Sequence, residues 1–346
     1  MSTLTTSRNQ SMELAKLIAS FFVVCIHYRL PNPLGAWIEA LSRFAVPMFF
    51  LISGYFNLGA GSCQVSRRLK NIGRLYLIAI AVTLLWGCIS TELDGGSTVS
   101  YLIKAIPDPD EWYMWLAVQS DPFAAHLWYL NAICVVYGLY WLYFRFFEGR
   151  EVDRKPLYFM GFVLFAIYFY ACAMPTTVPD ETVLKACRNA WFTGIPMFAI
   201  GMFLREYEAR ILQSFRLNTG KMVLLILGGI ALVTLQWSAN RMTFLPIGTL
   251  PVLAGVMLLT ATHPHISGNS RFWATVFARC GTWSTWIYIL HPLVRTIYKK
   301  LLRPGVFALI TEEAERAIHP LIVIALSLLT AMVIERAGAY LKKKSR

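Results

Sequence analysis

The sequence predicts an all-α protein, a polytopic transmembrane helical bundle of about ten spans. Of its 346 residues, 57% are hydrophobic and only 15% are charged, whereas soluble domains carry nearer a quarter charged residues. The apolar runs are long, and a helix satisfies its own backbone hydrogen bonds inside hydrocarbon. A soluble fold is therefore excluded. The formal charge of +13 is then a property of loops at a membrane surface, and no nucleic-acid partner is expected.

A transmembrane helix needs about 20 mostly apolar residues. We predict one membrane domain over 1–346, with spans at about 14–30, 36–58, 71–91, 126–147, 156–174, 188–205, 219–237, 244–262, 276–298 and 318–340. The eighth span is the weakest, because two prolines and a glycine interrupt it, at Pro246, Gly248 and Pro251.

Ten spans put both termini on one side of the membrane. Most lysines and arginines outside the spans lie at the termini and in the even-numbered loops, which predicts a cytoplasmic location for both. We therefore expect a multi-pass protein of a bacterial inner (plasma) membrane. The ninth loop, with Lys299, Lys300 and Arg303, is the local exception. The third loop, about 92–125, is long, acidic and aromatic, and predicts a short helix on the outer interface.

The seven cysteines form no CxxC pair and mostly lie within apolar runs: Cys25, Cys63, Cys88, Cys134, Cys172, Cys187 and Cys280. We expect them to be buried as small hydrophobic residues, not as disulfides or zinc ligands. No other group of residues has the spacing of metal ligands, so no metal site is predicted.

Three ionisable residues lie on one stripe of the first span. At about 100° per residue, Lys16 and His27 are within about 20° of each other, and Glu13 lies on the same face. Ionisable groups inside a span usually face the protein interior and have a function. The alternative is that Glu13 and Lys16 extend to the membrane surface while His27 makes a structural hydrogen bond.

These residues carry a resemblance. Glu13-x-x-Lys16 followed by His27 resembles the acidic-x-x-basic…His signature of membrane acyltransferase family 3. Four further stretches agree in order with the family's motifs: Arg43 to Tyr55 (RFAVPMFFLISGY), Arg67-Arg68 with Arg74-Leu-Tyr76, His126-Leu-Trp128-Tyr129-Leu, and Trp283 to His291 (WSTWIYILH). The resemblance covers nearly the whole chain.

The resemblance implies an O-acyltransferase that uses acyl-CoA, with acetyl the expected acyl group, and a carbohydrate or glycolipid acceptor outside the cytoplasm. No permanently bound cofactor is implied; acyl-CoA is a substrate. Acyl transfer needs a base for the hydroxyl proton, and His27 fits because an unperturbed histidine has a pKa of about 6.5. An acyl-histidine intermediate is the open alternative. Glu13 and Lys16 complete the predicted catalytic set, although Glu13 lies too far along the helix to orient His27.

The donor carries phosphates, so we expect Arg67, Arg68 and Arg74, with the membrane-embedded Arg43, to bind acyl-CoA. Basic loops also occur for topology alone. The remaining candidates are expected to line the substrate cavity: Ser53, His126, Trp128, Tyr288 and His291. Each has a structural alternative in helix packing or in the interfacial aromatic belt. Pro292, next to His291, is expected to free a backbone carbonyl.

A second class of function remains open, because membrane-embedded charges and broken helices also suit a small-solute transporter or exporter. We find no inverted repeat that would favour transport. Membrane lipid is an expected partner, and a homodimer is compatible with these features. The chain ends soon after the tenth span, so a fused outer domain is not expected, and the membrane domain acts alone or hands the acyl group to a partner protein.

Overall fold

A computed structural model describes residues 9–147, 153–170, 187–239, 245–266, 270–305 and 311–344. The described chain is helical and contains no strand, which confirms the all-α prediction. The first helices are α1 (Gln10–His27), α2 (Leu34–Ser42), α3 (Ala45–Tyr55), α4 (Ser62–Leu93), α5 (Thr98–Lys104) and α6 (Pro109–Val118). Next come α7 (Trp128–Phe146), α8 (Lys155–Tyr168), α9 (Ile195–Ser214), α10 (Thr219–Ser238), α11 (Thr249–Thr262), α12 (Arg271–Ile297) and α13 (Glu312–Lys344).

The count of ten spans is not confirmed. Among the described residues, six helical segments are long and apolar enough to cross a membrane: Gln10–His27, Leu34–Tyr55, Ser62–Leu93, Ala125–Phe146, Thr219–Ser238 and Glu312–Leu341. The other predicted spans also overlap helices. However, α8 and α11 have only 14 residues each, and α9 and α12 carry several charged side chains. Parts of the fifth and eighth predicted spans, 171–174 and 244, lie outside the described residues.

The chain forms two compact units, one of Met1–Phe49 with Ile211–Arg346 and the other of Phe50–Arg210. In the first unit, α1 packs on α12 and α13 around a core that includes Leu17, Val24, Ile287 and Val323. The N-terminal end of α1 is fixed to the end of α11, since Asn9 Nδ2 donates to the Thr260 carbonyl at 2.9 Å. This packing gives α1 a fixed face toward α12.

The second predicted span is divided into two helices. Helix α2 ends at Ser42 and α3 begins at Ala45. Pro47 has no N–H to bond the carbonyl of Arg43, four residues earlier, so a continuous helix would lose a hydrogen bond there. The break therefore falls at Arg43 and Phe44. In hydrocarbon this interruption needs polar partners nearby.

Helix α4 extends well before the predicted third span. It has 32 residues, so it is about 48 Å long at 1.5 Å per residue, whereas the hydrocarbon core is about 30 Å thick. The prediction that these basic residues lie in a loop is therefore wrong. The first turns of α4 carry Arg67, Arg68, Lys70 and Arg74. Arginine and lysine are good helix formers, so charge alone did not end the helix.

The third loop contains two short helices, α5 and α6, where one was expected. Asp108 caps α6: its side chain accepts from the Glu111 amide, and the Glu111 side chain accepts from the Asp108 amide. Val99, Ile103, Tyr113 and Leu116 are exposed on these helices. Exposed apolar side chains on short helices are typical of a membrane interface.

In the second unit, α3 and α9 touch backbone to backbone through two glycines. A Cβ built on Gly54 would lie 1.9 Å from the Phe198 carbonyl oxygen, and one on Gly201 would lie 2.1 Å from the Leu51 carbonyl oxygen. No side chain fits in either place, because real non-bonded contacts at Cβ are far longer. Small residues permit such close helix packing in membranes. This explains the glycine that follows Ser53.

The expectation of buried, unpaired cysteines is wrong at two of the described positions. Cys187, just before α9, is disulfide-bonded, whereas Cys25, Cys63, Cys88, Cys134 and Cys280 are free. Cys63 is moreover exposed, and Cys172 lies outside the described residues. Sequence spacing could not identify the disulfide, because a pair needs only neighbouring Cα atoms and no local motif.

Candidate functional site

The predicted site residues fall in both units. Glu13, Lys16, His27, Arg43, Tyr288 and His291 belong to the first, and Ser53, Arg67, Arg68, Arg74, His126 and Trp128 to the second. Their functional roles remain predictions, and the contacts of each group are described separately.

Glu13 and Lys16 form an ion pair on α1, with Lys16 Nζ 2.8 Å from Glu13 Oε1. The pair lies against α12 at Gly281, where a Cβ would come within 1.7 Å of Glu13 Oε2 and 2.7 Å of Lys16 Nζ. Ser284 Oγ donates to the Lys16 carbonyl at 2.8 Å. The glycine and the serine thus make room for the pair and fix its backbone. The Glu13 carboxylate is paired with Lys16, and Glu13 lies about 21 Å along α1 from His27 at 1.5 Å per residue.

His27 lies beside His291, with ring centroids 5.1 Å apart. His291 is completely buried, and its Nδ1 is 2.8 Å from the Tyr288 carbonyl oxygen. Pro292 lacks the N–H that would bond the Tyr288 carbonyl, so this carbonyl is free of a backbone partner, as expected. The imidazole of His291 hydrogen-bonds to it instead. A carbonyl only accepts, so Nδ1 of His291 carries the proton. In the neutral ring, Nε2 is then the acceptor.

Tyr288, the residue that supplies this carbonyl, is itself buried. Its ring centroid is 6.4 Å from that of His291 and 6.4 Å from that of Phe49 on α3. These aromatic contacts hold the turn that carries His291 against its neighbours. The predicted late motif on α12 therefore places a histidine pair where α1 ends.

Arg43 pairs with Glu39 of α2, with Nη2 2.7 Å from Oε1. Glu39 also accepts from Arg29, at 2.6 Å from its Nε. One carboxylate thus lies between two guanidinium groups. A partly buried arginine needs such a partner, so this ion pair accounts for Arg43 without a bound donor. Sequence analysis overlooked Glu39, although an acid four residues before Arg43 inside an apolar span was a usable signal.

The four cations of α4 divide into two sets. At about 100° per residue, Arg67, Lys70 and Arg74 lie within about 60° of each other on one face, and all three are exposed. Arg68 points elsewhere and donates from Nη1 to Asn57 Oδ1 at 2.7 Å. Asn57 is completely buried. The exposed face is suited to bind phosphates, whereas Arg68 joins α4 to the turn after α3.

Ser53 lies near tyrosines of α7, since its side chain is close enough to Tyr129 and Tyr137 to interact with their hydroxyl groups. Two residues on, Tyr55 donates to Glu208 Oε2 at 2.7 Å and accepts from Arg205 Nη1 at 2.9 Å. The serine and the tyrosine of the predicted motif therefore connect α3 to α7 and α9. The geometry is compatible with both interpretations of this motif. Gly54 permits close helix packing, and Ser53 is close enough to the two tyrosines of α7 for a polar contact.

His126 and Trp128 begin the segment that leads into α7. His126 is buried, and the Trp128 ring centroid is 6.4 Å from that of Phe50. Near them in the chain, Asp121 accepts from the Tyr76 hydroxyl and from the amides of Phe123 and Ala124. Burial raises the pKa of the Asp121 carboxyl above its ordinary value, although these hydrogen bonds act in the opposite direction. Sequence analysis named Tyr76 within a family motif but did not predict its contact with Asp121.

An apolar pocket of about 500 Å³ lies in the first unit. It is lined by side chains of α1, α2, α3, α10 and α11, including Leu14, Phe22, Phe44, Ile230 and Val252. Lys16, His27 and Arg43 are absent from its lining. This apolar pocket is therefore not the place at which Lys16, His27 and Arg43 would act. Over the described ranges, no group of three or more His, Cys, Asp or Glu residues could hold a metal ion.

The described fold and site are those of a helical membrane protein that has a histidine pair at the end of its first helix. A family model described as an acyltransferase domain, that of acyltransferase family 3, matches residues 9–336. The chain belongs to membrane acyltransferase family 3, and acyl transfer is the general activity that this membership supports. Neither the curated proteins nor the solved structures give a significant match.

Proposed function

We propose that this protein transfers an acyl group, with acetyl expected, from cytoplasmic acyl-CoA to a hydroxyl of an extracytoplasmic or lipid-linked carbohydrate. The observation that carries the proposal is the His27–His291 pair, at 5.1 Å between ring centroids, in a chain of the acyltransferase family. Membership of that family supports acyl transfer, and no observation on the described residues favours the transporter alternative.

In the proposed reaction, His27 takes the proton of the acceptor hydroxyl as its oxygen attacks the thioester carbonyl. A carbon–oxygen bond forms, the tetrahedral oxyanion collapses, and the carbon–sulfur bond breaks. The proton then passes from His27 to the CoA sulfur. His291 is a positioning residue, because its tautomer is set by the Tyr288 carbonyl and its Nε2 can face a protonated neighbour. In the acyl-histidine alternative, His27 carries the acyl group itself.

Donor binding is assigned to the exposed cations of α4, Arg67, Lys70 and Arg74. Arginine binds phosphate oxygens through two parallel N–H groups, which makes such pairs strong and directional. We assign Arg68 and Arg43 structural roles instead, because each contacts a partner within its own unit. Glu13 and Lys16 are assigned to the fixed contact between α1 and α12.

The double variant Arg67→Glu with Arg74→Glu is expected to weaken CoA binding by about tenfold or more, because two charge-assisted contacts are replaced by repulsion. Titration calorimetry of CoA into purified protein measures this effect. Lys221→Glu is the matched control, since Lys221 is an exposed cation in the first turn of α10. An unchanged affinity in the double variant, or an equal loss in the control, would remove the cations of α4 from the donor site.

The proposed topology places both termini in the cytoplasm of a bacterial inner membrane. The sixth predicted span then begins outside, next to Cys187. Disulfides persist in oxidising compartments such as the periplasm, and the disulfide at Cys187 supports this orientation. Acceptor, acyl-CoA and membrane lipid are the proposed partners.

The reaction itself is tested with purified protein and acetyl-CoA labelled in the acetyl group. We expect label to appear on an added sugar hydroxyl and free CoA thiol to appear in equal amount. CoA release without labelled sugar would show hydrolysis only. If neither product forms while a labelled solute crosses vesicles that contain the protein, the transporter alternative replaces the proposal.

A further inference from the structure

A set of basic residues follows the histidine pair along the chain: Arg295, Lys299, Lys300 and Arg303. In the proposed topology Arg295 lies near the outer end of the ninth span, and the other three lie in the outer loop that follows, where the insertion rule disfavours lysine and arginine. Topology explains most of the other basic residues outside the spans, but it does not explain this group. A different physical reason is therefore needed for positive charge at this end of α12.

Arg295 lies one helical turn beyond His291 on the same face of α12. Its guanidinium carbon is 4.9 Å from the centre of the Tyr28 ring, and Tyr28 directly follows His27. The His319 ring of α13 also lies near Tyr28, with its centroid 5.6 Å from that of the Tyr28 ring. Arg295 and His319 therefore both contact the residue next to the proposed base, within one unit.

Arg295 and His319 each have an unsatisfied polar atom. Nε of Arg295 and Nε2 of His319 are buried and have no hydrogen-bond partner among the residues that the structure describes. Buried polar atoms without partners are uncommon, and each carries a free-energy cost of desolvation. Each of these nitrogens is able to donate a hydrogen bond to an anionic oxygen when it carries its proton.

The neighbouring carboxylates do not supply that oxygen. Glu315 pairs with Arg303, with Oε2 2.5 Å from Nε, and Glu312 pairs with Arg316 at 3.4 Å. Each acid has its own cation. Lys299 is exposed, and both Lys299 and Glu315 are close enough to His319 for their charges to interact with it, in opposite directions.

We infer that Arg295 and His319 bind an anionic group of the acceptor, a phosphate or carboxylate, and thereby hold its hydroxyl near His27. The inference rests on the proposed function and names its substrate class: a sugar phosphate or sugar acid, not a neutral sugar. A planar guanidinium matches the two oxygens of either group. Arg295 is a specificity residue in this scheme, and it takes no proton from the substrate.

The test compares glucose, glucose 6-phosphate and glucuronic acid as acetyl acceptors. We expect one or both charged sugars to have a KM at least about tenfold below that of glucose, the effect of one charge-assisted hydrogen bond. Arg295→Gln should remove that advantage, and Arg295→Lys should restore part of it. Arg316→Gln, which changes an exposed cation near the start of α13, should leave it unchanged.

A binding measurement separates this inference from the proposed function. Inorganic phosphate is titrated into the protein with CoA at saturation, so that the donor's phosphate contacts are already occupied. Weaker phosphate binding in a folded Arg295→Gln variant supports the anion site even if no sugar is acetylated. Equal phosphate binding in the variant, or glucose acetylated as well as both charged sugars, overturns the inference and leaves acyl transfer standing.

Discussion

His27→Gln is expected to lower acyl transfer by roughly 10²–10⁴-fold, the usual contribution of a general base. Glutamine has a similar size and can hydrogen-bond beside His291, but it cannot accept a proton near neutral pH. Initial rates and the melting temperature should be measured on one purified preparation. CoA affinity should be retained, because the exposed cations of α4 are unchanged.

The matched control for this variant is His265→Gln. His265 is exposed in the segment after α11, so the same chemical change there should leave turnover intact. If His27 has only a structural role, its loss would instead lower the melting temperature, and activity would fall only with the amount of folded protein. A stable His27→Gln protein with near-full turnover would exclude His27 as the base and as the acyl carrier.

Gly54→Ala is expected to prevent recovery of folded protein or to lower its melting temperature strongly. The new methyl group would lie 1.9 Å from the Phe198 carbonyl oxygen, and the obstacle is backbone, which cannot rotate away as a side chain can. Overpacking a core typically costs 1–3 kcal/mol and sometimes more, and a backbone clash of this depth belongs at the upper end. Yield of monodisperse protein and thermal unfolding in detergent measure the effect.

Gly138→Ala provides the comparison, because it makes the same change within α7 of the same unit. A Cβ at Gly138 meets no atom within 4 Å, and alanine is the better helix former by about 1 kcal/mol. This variant should be at least as stable as the parent. Equal stability of the two variants would contradict the direct contact between α3 and α9.

Much of the helical content could be predicted because hydropathy directly reports which segments can enter hydrocarbon. The same property limited the prediction of helix ends. Helix α4 continues through Arg67 to Arg74 because arginine and lysine favour helix as well as water. Pro47 was a sequence signal for the helix break after Ser42. The break was not predicted, because the apolar run continues through it.

The site was predicted one helix at a time. Periodicity placed Glu13, Lys16 and His27 on one face, and that face does meet α12. Which residues lie opposite could not be read from spacing, since Gly281 and His291 are more than 250 positions away in the chain. His319 was missed for the same reason, because its neighbours become apparent only when helices pack. Glu39 was missed although its partner Arg43 is only four residues away.

The continuity of α4 has a consequence for how the chain tolerates insertions. From Ser62 to Leu93 there is no turn that could absorb an added residue. One residue inserted between Arg74 and Tyr76 would rotate the exposed cations by about 100° relative to the buried hydroxyl of Tyr76 and shift them by about 1.5 Å. The helix therefore fixes the angle and distance between the exposed cations and the Tyr76 hydroxyl that contacts Asp121. Insertions that keep this geometry must fall beyond the ends of α4.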